Sequence, residues 1–148
     1  MQASYFPVPM PVAVKAVRAI FIINAVLIGI VLLVLFIGMA ALDSSFEEFA
    51  EETGTGTGDI LFSLAIAVAF VLMYGIAAAR LGSGGPGTLS FARIVAVLGL
   101  AGAVSNAALS GITLGLVLGL ALDVAALVLL ATSEARAWFG RPGAGAVR

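Results

Sequence analysis

Long apolar runs alternate with short polar breaks along this chain, and the runs have the length of a lipid bilayer. After Lys15 and Arg18, no charged residue occurs from Ala19 to Leu42. A second uncharged run extends from Ile60 to Ala79. Two more follow, Leu89 to Leu109, broken only by Arg93, and Ile112 to Thr132, broken only by Asp123. About 20 apolar residues in helical form cross a bilayer core. The pattern therefore predicts four spans, at residues 14–42, 60–80, 89–109 and 112–132, the first with length to spare for tilt. A signal peptide has an apolar core of roughly 7–15 residues. The first run is longer than that and reads as a retained span.

The breaks have their own grammar. Residues 1–11 hold Pro7, Pro9 and Pro11, which suit an extended arm near the membrane surface. Pro11 fits a first helical turn, where no backbone donor is needed. Residues 43–59 form an acidic loop in two parts. Ser44 to Glu52 is expected to prolong the first helix, with Phe46 and Phe49 toward the interface, and Thr53 to Gly58 is a flexible linker. Asp59 stands where an N-cap belongs, and Thr88 does the same after the Gly-rich loop from Arg80 to Gly87. Ser110-Gly111 reads as a tight reversal. Trp138 and Phe139 beside Arg136 resemble interfacial anchors, before a flexible tail at 140–148. No internal repeat is evident.

Composition sharpens the class. Of 148 residues, 62% are hydrophobic and 10% charged, against roughly 25% charged in soluble domains; mean hydropathy is +1.22. The expectation is an all-α membrane protein, a four-helix transmembrane bundle forming a single domain over 1–148. With 0 Cys and 0 His, disulfides, thiolate chemistry, imidazole bases and the usual zinc sites are excluded. No cofactor, metal or nucleic-acid partner is expected.

Charge placement gives the topology. With four spans, Lys15, Arg18, Arg80, Arg93, Arg136, Arg141 and Arg148 all fall on one side. Asp43, Glu47, Glu48, Glu51, Glu52 and Asp59 fall on the other. The positive-inside rule then puts both termini in the cytoplasm. Lys15, Arg18, Arg80, Arg93 and Arg136 join Trp138 and Phe139 as anchors at that interface.

Two constellations carry the functional expectation. Gly111, Gly115 and Gly119 recur every fourth residue, and the next step of the repeat is Asp123. Small residues at that spacing let membrane helices approach closely. Gly99, Ala103 and Ala107 offer a matching row in the preceding helix. The stripe serves packing within the chain or, on a sharper reading, a homo-oligomer interface. Asp123 falls near the middle of its span, where an acid costs about 2.5–3.5 kcal/mol on insertion scales. Counted from the cytoplasmic ends at 1.5 Å per residue, Asn24 and Tyr74 lie about 9 Å deep and Asp123 about 15 Å. These three residues form a candidate polar cluster, serving either as a proton or cation site or as hydrogen-bonded glue between helices.

Other features carry less. Glu47/Glu51 and Glu48/Glu52 repel at four-residue spacing on a helix. The acidic loop lacks the alternating ligands of a calcium loop and reads as a solvated cap. Gly82 to Thr88 echoes a phosphate loop, but it lacks the lysine and has no preceding strand. No serine has a histidine partner and no pair of acids shares a cleft, so no enzymatic activity is expected.

The Pro-rich start, the run Val14-Lys15-Ala16-Val17-Arg18, the four spans and the exit Ala135-Arg136-Ala137-Trp138-Phe139 together resemble the small four-span integral membrane proteins of high-GC Gram-positive, actinobacterial genomes. The preference for Arg over Lys fits such genomes. That family mostly lacks an assigned function, so the resemblance implies the architecture and carries over no site. Four-span small multidrug transporters are comparable in size, but their essential acid lies in the first helix and this one in the fourth. The function expected is a non-enzymatic accessory or scaffold in the lipid bilayer, associating with itself or another membrane protein. The alternative is a small proton- or cation-coupled transporter or channel subunit using Asp123.

Overall fold

The computed structural model describes residues 9–41 and 45–140, all helical or connecting, with no strand among them. Six helices follow in order: α1 Val12–Ala41, α2 Phe46–Thr53, α3 Thr57–Arg80, α4 Pro86–Ser110, α5 Leu114–Leu130 and α6 Ser133–Phe139. Helices α1, α3 and α4 are each long and apolar enough to cross a membrane. A fourth span exists if α5 and α6, bent by 70° at their junction, count as one. Asp43 and the tail at 141–148, including Arg141 and Arg148, lie outside the described residues.

Backbone chemistry explains where the helices start and stop. Pro11 precedes α1, as its missing donor favours. Segment 46–53 does not prolong α1. It is a separate helix, closed at its start by a capping box in which the Ser45 hydroxyl accepts from Glu48 N at 3.2 Å and Glu48 Oε2 accepts from Ser45 N at 2.9 Å. Gly54, at φ 66°, ends it, and Thr55 N donates to Ala50 O at 3.0 Å. That left-handed stop is one glycine adopts without a Cβ clash. Asp59 is not an N-cap, because α3 begins two residues earlier and Asp59 sits in its first turn. Thr88 likewise lies inside α4, whose N-cap is Gly85 with Pro86 next. The Thr88 hydroxyl turns back to donate to Gly84 O at 2.9 Å. The cap of α5 is Thr113, whose hydroxyl accepts from Leu116 N at 3.2 Å, so α5 starts two residues after Ile112.

The chain divides into two compact units, one of residues 1–20 and 77–148, the other of residues 21–76. In the second unit, Phe21 of α1 is fully buried against Tyr74 of α3, ring centroids 5.5 Å apart and planes tilted by 55°. Phe70 continues this stack, 6.1 Å from Tyr74.

The first unit holds the start of α1, the end of α3, and all of α4, α5 and α6. Helix α4 packs along α5, and α6 folds against both. Its fully buried side chains include Val14, Val17, Leu81, Val95, Leu130 and Phe139, so the helix ends converge on one small core. Elsewhere large apolar side chains such as Ile30, Val31, Val34, Phe62, Leu72, Val104 and Val128 are exposed. Such a surface suits hydrocarbon as solvent, since lipid tails are as apolar as leucine.

Candidate functional site

Asp123 lies in the middle of α5 and is 3% exposed. The only other buried polar or charged side chain among the described residues is Asn24, at 5%, with Tyr74 at 2%. No buried side-chain nitrogen or oxygen among the described residues lacks a hydrogen-bond partner. Buried polar groups are costly unless satisfied, and each of these three residues is engaged. Asp123 belongs to the first unit, Asn24 and Tyr74 to the second. No group of three or more acidic, His or Cys side chains among the described residues is arranged to hold a metal ion.

The small-residue rows sit nearby in sequence. Gly99 is buried, and Ala103 and Ala107 are half-buried, on the helix that packs along α5. Among the described residues, a Cβ at Gly115 or Gly119 would meet no atom within 4 Å beyond the helix's own backbone. At those two points the surface of α5 is open. Gly111 has a separate job, ending α4 at φ 82°, a left-handed conformation that other residues rarely adopt.

Several side chains join helix ends at the basic end. Where α5 stops, its last carbonyls would be left without partners. Arg93 of α4 fills one vacancy, its Nη2 donating to Leu130 O at 3.2 Å. Thr132 serves both sides of the corner: its hydroxyl donates to Leu129 O at 2.7 Å and accepts from Ala135 N at 3.4 Å as the cap of α6. Arg80, ending α3, stacks over the Phe91 ring at 5.8 Å from the centroid, a cation–π geometry. A Cβ at Gly82 would lie 3.6 Å from Met10 Cε and 3.9 Å from Arg18 Nη1, so the start of α1 reaches the α3–α4 loop.

Trp138 and Phe139 are at this end too, but turned inward, 8% and 1% exposed. The Trp138 indole N–H donates to Leu81 O at 3.4 Å, joining α6 to the end of α3. Sequence reasoning singled out the ring and missed this use of it, because its partner is a backbone carbonyl far away in the chain. It also missed Arg93 and Thr132 as a capping pair, although a threonine before Ser133-Glu134-Ala135 is a legible N-cap signal. On α2, Glu47, Glu48, Glu51 and Glu52 are all exposed, as is Asp59 in the first turn of α3.

Comparison with protein-family models, with curated proteins and with solved structures finds no match to this chain.

Proposed function

We propose that this protein is a four-span bundle of the bacterial plasma membrane with both termini cytoplasmic, acting as a non-enzymatic scaffold that packs with itself or with another membrane protein. The fourth crossing is supported by two bonds at the basic end. Arg93, near the start of α4, reaches the last residue of α5, and Trp138 reaches the residue after α3. A chain that leaves along α4 and returns along α5 brings those ends together. The positions of Lys15, Arg18, Arg80, Arg93 and Arg136 then favour the cytoplasm for that end.

The observation that carries the scaffold reading is the open surface at Gly115 and Gly119. In a bilayer no hydrophobic force drives helices together, so close backbone approach over small residues supplies much of the association. Two glycines one turn apart, whose Cβ positions are left open among the described residues, offer that approach to another helix. A second reading rests on Asp123, an acid buried in the middle of an apolar helix, where ionisable residues line proton and cation paths.

Purification in mild detergent, with particle mass and co-purifying proteins measured, tests the first reading. A dimer or larger particle, or a stoichiometric membrane partner, is expected, and Gly115→Leu or Gly119→Leu should dissociate it. A bare monomer overturns the scaffold. Asp123→Asn separates the two readings: a scaffold keeps its mass and partners, whereas a transporter keeps its fold and loses proton- or cation-driven flux in liposomes.

A further inference from the structure

An open groove of about 550 Å³ lies between the start of α1 and α6, lined by Pro9, Met10, Pro11, Val12, Lys15, Glu134 and Ala137. Its volume is within the ~300–1,000 Å³ of small-ligand clefts. The wall is apolar except at two points of opposite sign, Lys15 and Glu134, both exposed. Among the described residues neither is engaged in an ion pair.

We propose that this groove seats the headgroup of a zwitterionic amino-phospholipid, with the phosphate at Lys15 and the primary ammonium at Glu134. Three features favour that occupant over related chemistry. The groove lies at the first turns of α1, the depth at which headgroups sit if α1 enters the bilayer there, and its Pro, Met and Val lining suits the glycerol and first methylenes beneath a headgroup. Free phosphate and an anionic glycerol headgroup bring a negative charge to the groove and no cation to set against Glu134, which disfavours both. A trimethylated ammonium has no N–H to donate to the Glu134 carboxylate, so a choline headgroup gains less there than an ethanolamine one. Lipid recognition at this groove is separate from the scaffold role and needs only that α1 enter the membrane.

The test reconstitutes the full chain in bilayers containing equal amounts of phosphatidylethanolamine, phosphatidylglycerol and phosphatidylcholine, and releases it into native mass spectrometry. The wild-type chain should retain phosphatidylethanolamine over each of the others by roughly two- to fivefold, the effect of one partly exposed ion pair. Glu134→Gln should abolish the preference over phosphatidylglycerol, and Lys15→Gln should lower retention of all three. Both side chains are exposed, so wild-type thermal melts are expected for both variants. Equal retention of the three lipids by the wild-type chain overturns the proposal whatever the variants do. So does an unchanged preference in Glu134→Gln. Particle mass in the same spectra reports on self-association, so failure of the lipid site and failure of the scaffold reading are told apart.

Discussion

The hydroxyl of Thr132 holds both sides of the α5–α6 corner, accepting from one helix start and donating to the other helix end. Thr132→Ala removes both bonds and should lower stability by about 1 kcal/mol, typical of a lost N-cap. Thr132→Ser keeps them and should melt like the wild-type chain in detergent. Equal melting of all three would mean the corner is held by Arg93 and packing alone. At this scale the sequence was readable where a residue is out of place for its surroundings. Asp123 is conspicuous as the one charge between Ile112 and Thr132, and the fold buries it. Trp138 was readable only as an aromatic beside Arg136. A single indole N–H does not announce which distant carbonyl it will find, and the bond to Leu81 arises from folding rather than from any local pattern.

Helix boundaries depend on cap chemistry, and hydropathy does not report it. The apolar runs placed α1, α3, α4 and α5 to within a few residues, because burial in hydrocarbon requires length and apolarity and little else. Hydropathy and the Phe46/Phe49 spacing read segment 46–53 as an extension of α1, whereas it forms the separate helix α2. Ser45-Phe46-Glu47-Glu48 was nevertheless a readable capping box, and Gly54 a readable stop. The box matters because Glu47/Glu51 and Glu48/Glu52 oppose the helix by a few tenths of a kcal/mol per pair. Two of those acids also sit in the last turn, where the helix dipole disfavours negative charge. An eight-residue helix has little else to hold it. Ser45→Ala should therefore cost about 1 kcal/mol locally. Amide hydrogen exchange across 46–53 should speed up by roughly fivefold, a factor that follows from 1.4 kcal/mol per tenfold. The spans should exchange as before. Unchanged exchange in 46–53 would show that the Phe49 and Ala50 face, half-buried and buried, carries the helix instead.

At the scale of the whole molecule, α5 decides the number of crossings. Its 17 residues span about 26 Å at 1.5 Å per residue, a little short of a ~30 Å hydrocarbon core. If α5 crosses, the turn at Ala131–Thr132 and the bent α6 have to supply the remainder, and a buried acid near the middle of α5 adds to the cost of insertion. Against that, an α5 lying outside the bilayer would place Arg136 on the acidic side, with Glu47, Glu48, Glu51 and Glu52. The absence of cysteine from the chain makes the question experimentally clean. Glu51→Cys and Arg136→Cys change exposed side chains and each introduces a single thiol. With four crossings and a cytoplasmic N-terminus, a membrane-impermeant maleimide should label Glu51→Cys in intact cells and Arg136→Cys only after permeabilisation. Three crossings predict that both are labelled from outside. Arg93→Met should discriminate further, because it removes the bond that completes the end of α5. If α5 crosses, that variant leaves the Leu130 carbonyl short of a donor at the membrane boundary, and a fraction of Arg136→Cys chains in the double variant should become labelled from outside. If α5 does not cross, Arg93→Met should leave the labelling of Arg136→Cys as it was.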